Sequence, residues 1–212
     1  KEANTINVEA VELMDRAGLA SIENDPAMPA FIKDFDENVT ALLIETRAIS
    51  DAQLDIQTAQ IEELLKEFSV VRDIYFTKDV AEYTLYWKIR KGLFPAVGAV
   101  RVTGTTVIIE DVAYPIECLA DATLELQDLF KKHGYSEALI FGHALEGNFH
   151  FVFTQDFSDA KEVKRYDDFM NDVVHSVAVK YQGSLKAEHG TGRNIAAFIE
   201  VEWGHDAYVM MK

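Results

Sequence analysis

Two histidines stand in a short segment whose spacing suits a metal site, GHALEGNFH at residues 142–150. Either Glu146-Gly147 or Gly147-Asn148 could form the two-residue loop of a β-hairpin here. In the first case His143 lies directly opposite His150, and in the second the two are diagonal neighbours. Side chains alternate between the faces of a sheet, so both imidazoles project to one side in either case. Two such imidazoles can bind one divalent cation, and the alternative is a pair of polar residues facing solvent.

A carboxylate and an imidazole, Glu188 and His189, follow each other in a glycine-flanked segment, GSLKAEHGTGR at residues 183–193. Glycines let the backbone come close to a ligand, and the start of a helix can bind a phosphate group. No buried strand with P-loop spacing precedes the segment, so the pattern is a weak indication of phosphate binding. A charged turn without function is the alternative.

The elements that must position these residues follow from hydrophobic periodicity and turn residues. Their order predicts an α+β fold, a ferredoxin-like antiparallel sheet with helices packed on one face. A single domain is expected over residues 1–212, and residues 8–13 fit either a strand or a helix. Strand patterns cover 41–46, 70–76, 106–112, 137–142 and 149–154, and helical patterns cover about 52–68, 77–92, 119–133, 166–181 and a segment after Arg193.

Composition excludes several classes of protein. The 212 residues include 20 Lys and Arg against 36 Asp and Glu, a net charge of -16, which disfavours nucleic acid because its phosphates need basic partners. No apolar run reaches the roughly 20 residues of a membrane-spanning helix. The single cysteine, Cys118, excludes an intrachain disulfide and a protein-held iron–sulfur cluster. We expect a cytoplasmic protein, at most peripheral to the inner face of the membrane.

The two motifs together resemble the C-terminal domain of the FAD-linked oxidases that act on D-2-hydroxy acids, the D-lactate, glycolate and D-2-hydroxyglutarate dehydrogenases. In that family a GH, a short acidic turn and GN-x-H are followed some forty residues later by EHG-x-G. The resemblance extends over nearly the whole chain through "VELMDRAGL", "LLIETRA", "KIRKGLFPAVGAVR" and "EDVAYP". The wording "FGHALEGNFHF" and "KAEHGTGRN" is most similar to large bacterial members that join the flavoprotein to an iron–sulfur domain.

The resemblance implies a role for each matching residue. His143, His150 and Glu188 are expected to bind a divalent metal (Zn, Mn or Fe), and Asn148 to contact the substrate beside it. His189 is expected to be the general base, and Arg90 to bind the substrate carboxylate. Some members carry a hydroxyl residue and a Lys near the positions of Phe94 and Ile109, and the candidates to replace them here are Arg101, Thr105 and Thr106.

The resemblance also implies partners beyond this chain. FAD would be held by a separate N-terminal domain of the same polypeptide, for which this chain has no room, and an iron–sulfur domain would accept electrons. The expected reaction takes a D-2-hydroxy acid, of the D-lactate or D-2-hydroxyglutarate type, to the 2-oxo acid by hydride transfer to the flavin. The alternatives are a free-standing module that binds a metal or metabolite without redox activity, and a structural subunit with a vestigial site.

Overall fold

The computed structural model of the chain describes residues 6–190 and 192–212, with side chains for all of these except residues 94–100. The strands are β1 (Ala10–Met14), β2 (Ala41–Glu45), β3 (Thr106–Ala113), β4 (Leu139–His143) and β5 (Asn148–Gln155). The α-helices are α1 (Arg16–Ile22), α2 (Asp51–Leu65), α3 (Val80–Val100), α4 (Leu119–His133), α5 (Ala160–Val174), α6 (Gly192–Ile195) and α7 (Ile199–Met211), and a π-helical segment, His175–Lys180, continues α5. Within the described part of the chain, no helix is both long and apolar enough to cross a membrane.

The five strands form one antiparallel sheet in the order β2-β1-β4-β5-β3. Because β5 lies between β3 and β4, the run β3-α4-β4-β5-α5 is the split β-α-β arrangement of ferredoxin-like domains. Strands β1 and β2 extend the sheet beyond β4. The α+β fold and the antiparallel sheet are therefore as predicted.

Helices cover both faces of this sheet, whereas the sequence analysis placed them on one. The aromatic side chains of β5 pack against α4 and α5 on one face. On the other face Leu139, Phe141 and Val152 pack against residues of α1 and α3. Strands β4 and β5 are largely buried on both sides, so a second layer is needed to remove these three apolar side chains from water. The prediction missed this layer because it left the first 40 residues, which contain α1, ambiguous, and because it packed the predicted helix 77–92, which corresponds to α3, on the same face as the other helices.

The β4–β5 hairpin differs in its loop from both predicted forms. Residues 144–147 form a four-residue connection, in which Ala144–Glu146 make a 3₁₀ turn and Gly147 adopts a left-handed conformation with φ 71°. A Cβ atom on Gly147 would lie 2.3 Å from the Tyr114 carbonyl oxygen, so glycine is required here. His143 pairs with Asn148, and His150 pairs with Phe141. The alternation of side chains still puts both histidines on one face, the face covered by α1 and α3.

One further segment differs from its predicted structure, and the structure decides a second that was ambiguous. Residues 70–76, predicted as a strand, have no regular structure, and Val70, Val71 and Tyr75 are exposed. A β-branched run forms a strand only where a neighbouring strand can pair with it, and this run lies outside the sheet. The ambiguous residues 8–13 contribute to β1, whose central residue is the buried Glu12.

Asp15 ties the end of β1 to β4 and to the start of α1. Its Oδ1 accepts a hydrogen bond from the Gly18 amide at 2.7 Å, and its Oδ2 accepts one from the Ile140 amide at 3.0 Å. We expect Asp15→Ala to lower the free energy of unfolding by about 2–4 kcal/mol, because it removes an N-cap and leaves two buried N–H groups unpaired. Asp15→Asn keeps one acceptor and should cost less. Equal stability of Asp15→Ala and the wild type in urea unfolding would contradict this assignment.

The same carboxyl group should give the stability a particular dependence on pH. Burial raises the pKa of Asp15 to about 6, above its ordinary value of 3.8, although the amides of Gly18 and Ile140 oppose the shift. Between these two values the folded protein binds a proton that the unfolded chain does not, so this group favours folding more as the pH falls from 7 to 4. The stability difference between wild type and Asp15→Asn, measured by urea unfolding at pH 7 and pH 5, should therefore shift in favour of the wild type at pH 5.

Candidate functional site

The predicted site residues lie on the face of the sheet that is covered by α1 and α3. One row across the strands contains Glu12, His143 and Asn148, and the next row contains Phe141, His150 and Asp111. The segment that carries Glu188 and His189 reaches this face from beyond β3, where Ser184 makes an isolated bridge with Ala113.

The three expected metal ligands come together. Glu188 Oε1 lies 2.9 Å from His150 Nε2 and 3.5 Å from His143 Nε2. One donor atom from each of the three residues lies within 4.8 Å of the others. His150 is buried, whereas the Glu188 side chain is 45% exposed. The cluster therefore has a buried floor, formed by His150 and its buried neighbours in the sheet, and an open rim, which includes Glu188.

His150 is held in its neutral form. Burial, joined by the nearby His189, His143 and Arg90, lowers the pKa of His150 to about 4, and the charge of Glu188 opposes this shift. Its ring lies between Phe141 and His189, with centroid distances of 5.3 and 4.9 Å. A neutral imidazole is the form that binds a metal ion.

Asp111 positions the segment that carries Glu188 and His189. Its Oδ2 accepts hydrogen bonds from the backbone amides of Ala187, Glu188 and His189 at 3.0, 2.6 and 3.2 Å. Its Oδ1 lies 3.2 Å from Lys186 Nζ. Burial by itself would raise the pKa of Asp111, but the amides of Glu188 and His189 and the charge of Lys186 outweigh it and lower the pKa. The carboxylate therefore stays charged and fixes three consecutive residues.

His189, the expected base, lies over the floor of the site. Its ring stacks on His150 with an interplanar angle of 15°. Its Nδ1 lies 3.5 Å from Asp111 Oδ1 and its Nε2 lies 3.7 Å from Glu188 Oε1. The side chain is 43% exposed, so a small molecule can reach the imidazole from the open side.

The two residues expected to contact substrate lie on the same face. Arg90 of α3 is buried, its Nε donates to Glu12 Oε2 at 2.7 Å and its guanidinium carbon lies 4.5 Å from the centroid of Phe141. Asn148 is buried, and its Oδ1 has no hydrogen-bond partner among the described residues. Ile109 is on this face too, because it pairs with Val152. The side chain of Phe94 lies outside the described residues.

Sequence reasoning missed two acidic residues of the site, Glu12 and Asp111. Glu12 Oε1 lies 2.7 Å from His143 Nδ1, and Asp111 holds the Glu188 segment as described above. Each is an acid inside an apolar strand pattern, and a buried charge has to be paired. The sequence signal was therefore an acidic residue within an apolar strand pattern, in "VELM" and in "IIEDV".

The donor set fits a divalent cation. Two imidazole nitrogens and one carboxylate oxygen are ligands that zinc accepts, and three protein ligands leave a position open for another molecule. Zinc–nitrogen bonds of about 2.0–2.1 Å place tetrahedral donor atoms about 3.3 Å apart, close to the two distances from Glu188 to the histidines. The same donors suit other first-row divalent metals, so the set does not select zinc.

Comparison with known proteins agrees with the family resemblance seen in the sequence. The family model described as "FAD linked oxidases, C-terminal domain" matches residues 1–212. A rice protein (Oryza sativa subsp. japonica) named "Probable D-2-hydroxyglutarate dehydrogenase, mitochondrial" is 30% identical over 174 residues, covering 80% of this chain and 29% of its own length. The "D-lactate dehydrogenase [cytochrome], mitochondrial" of Arabidopsis thaliana is 27% identical over 215 residues, covering 98% of this chain and 35% of its own length.

A solved structure supports the fold. The 4-ethylphenol oxidase from Gulosibacter chungangensis, in complex with isoeugenol, superimposes with a TM-score of 0.54 at 13% identity, over 93% of this chain and 43% of the oxidase. At that identity the likeness concerns the fold alone. The chain spans about a third of the length of the two curated relatives above.

The role of Asp111 can be tested without any ligand. Asp111→Asn replaces the charged oxygen that accepts all three amide hydrogen bonds by a neutral, weaker acceptor and sets an NH₂ donor against Lys186 Nζ, so the backbone amides of residues 187–189 should lose much of their protection from hydrogen exchange. Hydrogen exchange of this segment, followed by NMR, checks the expectation. Glu110→Gln is the matched control, because Glu110 is an equally buried acid of β3 that contacts Lys186 and Asn194 but none of the three amides. Unchanged protection at residues 187–189 in Asp111→Asn would contradict the assignment.

Proposed function

The chain belongs to the C-terminal domain family of FAD-linked oxidases, and from this premise we propose that it binds the substrate and a divalent cation in a flavin-dependent D-2-hydroxyacid dehydrogenase. The proposal includes residues 1–212 as one domain of a longer polypeptide whose other domain holds FAD. The observation that carries it is the cluster of His143, His150 and Glu188 beside the buried Arg90.

The chemistry of the proposed reaction divides between the bound groups and the chain. When bound, FAD would supply an acceptor for the hydride of the substrate Cα, and a divalent cation held by His143, His150 and Glu188 would supply a Lewis acid for the substrate hydroxyl. The chain's own task is to hold the hydroxy acid in one orientation and to take one proton. Orientation of this kind can contribute several kcal/mol to catalysis because it is achieved before the reaction step.

Arg90 is the group proposed to bind the substrate carboxylate. A guanidinium binds carboxylate through paired N–H donors and stays charged at any physiological pH. Its burial against Phe141 strengthens such an ion pair, because little water competes for either partner. The unpartnered Oδ1 of Asn148 supplies an acceptor on the same face, which is suited to a substrate hydroxyl group.

His189 is proposed to take the hydroxyl proton at Nε2. The charged Asp111 lies at its Nδ1, which favours the tautomer that carries hydrogen on Nδ1 and leaves Nε2 as the acceptor. Nε2 also faces Glu188, so the acceptor is directed toward the proposed cation site. His150 is less suitable as the base because it is buried and, by its position beside Glu188, is proposed as a ligand.

Three finer features remain predictions from the sequence. The substrate is proposed to be a D-2-hydroxy acid of the D-lactate or D-2-hydroxyglutarate type, bound on the face that also carries Ile109. The iron–sulfur electron acceptor is proposed from the resemblance alone. The cytoplasmic location is proposed from the single cysteine, and some of the relatives are mitochondrial proteins.

Metal binding by the chain is the direct test of the site. Calorimetric titration with Zn²⁺ and Mn²⁺ should give one site per chain, and His150→Ala should weaken it by more than about 100-fold, since even loss of an outer-shell partner costs about 10–100-fold. His175→Ala is the matched control, because His175 is exposed and belongs to the π-helical segment rather than the sheet. If His150→Ala and the wild type bind the metals equally, the proposed site is wrong.

The base is tested in the full-length flavoenzyme. We expect His189→Ala to lower kcat by about 10²–10⁴ with metal content retained, because removal of a general base has an effect of that size. Stopped-flow reduction of the flavin by D-lactate and by D-2-hydroxyglutarate reports the hydride step, and metal analysis of the same preparation is the control. A metal-free variant whose rate returns with added metal would assign His189 to metal binding instead. A wild-type enzyme whose flavin is reduced by neither acid would favour the binding module without redox activity.

A further inference from the structure

Glu12 is a buried acid that neither of the two sequence motifs contains. It lies at the centre of β1, is 3% exposed and stands directly opposite His143 in the register of β1 and β4. A carboxylate in such a place is stable only when both oxygens have partners. The identity of those partners indicates what the residue does.

The first oxygen of Glu12 sets the tautomer of His143. Glu12 Oε1 lies 2.7 Å from His143 Nδ1, and an ionised carboxylate can only accept a hydrogen bond, so Nδ1 carries the hydrogen. In the neutral ring the lone pair is then on Nε2. Nε2 is the atom that lies 3.5 Å from Glu188 Oε1, on the side of the proposed cation site.

The second oxygen of Glu12 holds Arg90. Glu12 Oε2 accepts a hydrogen bond from Arg90 Nε at 2.7 Å, and the guanidinium lies over the ring of Phe141. Because Nε is engaged, a substrate carboxylate can approach this guanidinium only through its terminal nitrogens. One carboxylate thus fixes the orientation of two groups that belong to different elements, β4 and α3.

We propose that Glu12 is a positioning residue that couples the proposed metal ligand His143 to the proposed carboxylate-binding Arg90. The roles of His143 and Arg90 in this proposal rest on the proposed function. The tautomer that Glu12 imposes on His143 does not, because it exists without metal or substrate. Loss of the carboxylate should therefore affect the His143 ring, the affinity for metal and the KM for the hydroxy acid together. A residue that only stabilised the fold would leave the tautomer and the affinity of the folded protein unchanged.

The first measurement uses the metal-free chain. Two-dimensional ¹⁵N–¹H NMR of histidine-labelled protein distinguishes the two neutral tautomers of an imidazole. In the wild type we expect His143 with its hydrogen on Nδ1, and in Glu12→Gln we expect this preference to be lost, because the amide has one acceptor for two donors. Predominance of the Nε2–H tautomer in the wild type would overturn the proposal, and this result does not require any variant to fold.

The second measurement is calorimetric titration with Zn²⁺. Glu12→Gln should bind Zn²⁺ about 10–100-fold more weakly than the wild type, the usual cost of losing the partner of a ligating histidine. Glu45→Gln is the matched control: Glu45 lies on the same face in β2 and accepts a hydrogen bond from Trp87 of α3, but does not contact His143. Unchanged tautomer and Zn²⁺ affinity in a folded Glu12→Gln would overturn the proposal.

The third measurement separates this proposal from the proposed function. In the full-length flavoenzyme Glu12→Gln should raise KM for the hydroxy acid at saturating metal, whereas Glu45→Gln should not. A wild-type chain that binds neither Zn²⁺ nor Mn²⁺ would refute the metal site but leave the tautomer test of Glu12 intact. A wild-type chain that binds metal, with a Glu12→Gln variant identical to it in tautomer and KM, would refute only the role of Glu12.

Discussion

The register of the β4–β5 hairpin is the constraint on which the rest of the site depends. It puts His143, Asn148 and His150 on one face and sets which residues of the flanking strands stand beside them. The register is itself fixed by close backbone packing. A Cβ on Gly142 would lie 2.4 Å from the Asn148 carbonyl oxygen, so the strand cannot carry any other side chain there without moving its partner. A shift of β5 by one residue would turn Asn148 and His150 to the face occupied by the aromatic core, away from His143.

Buried charge then links stability to the proposed chemistry. Glu12 and Asp111 are almost completely buried, and each is paired with a residue that has a proposed role in binding or reaction. Removing His143 would leave one oxygen of the buried Glu12 without its hydrogen-bond partner, which costs about 1–3 kcal/mol. The acids on the floor therefore hold the site in one arrangement before any ligand arrives. The open residues Glu188 and His189 depend on Asp111 for their place, because its hydrogen bonds fix their backbone.

The sequence predicts the local part of the site, the hairpin that carries His143 and His150. It does not predict the long-range contacts that this hairpin makes with other segments. Strand alternation puts His143 and His150 on one face for both predicted loops and for the observed one, so the error in the loop did not affect the conclusion. That Glu188 joins them was an expectation from the resemblance, since 38 residues separate it from His150 and the approach depends on the bridge between Ser184 and Ala113. Glu12 and Asp111 were missed because the partners of a buried acid are set by sheet order, which strand patterns do not give.

The floor and the rim of the site are held in place in different ways, so substitutions in the two parts should have different effects. The floor residues are packed between the sheet and α3, where a change of side chain disturbs the core as well as the site. The rim residues Glu188 and His189 are more exposed, and backbone hydrogen bonds to Asp111 fix their position. In the proposed function, the metal ligands and the base would determine the type of reaction, and they come from both floor and rim. Side chains beside them on the same face, such as Ile109, would then determine which hydroxy acid fits.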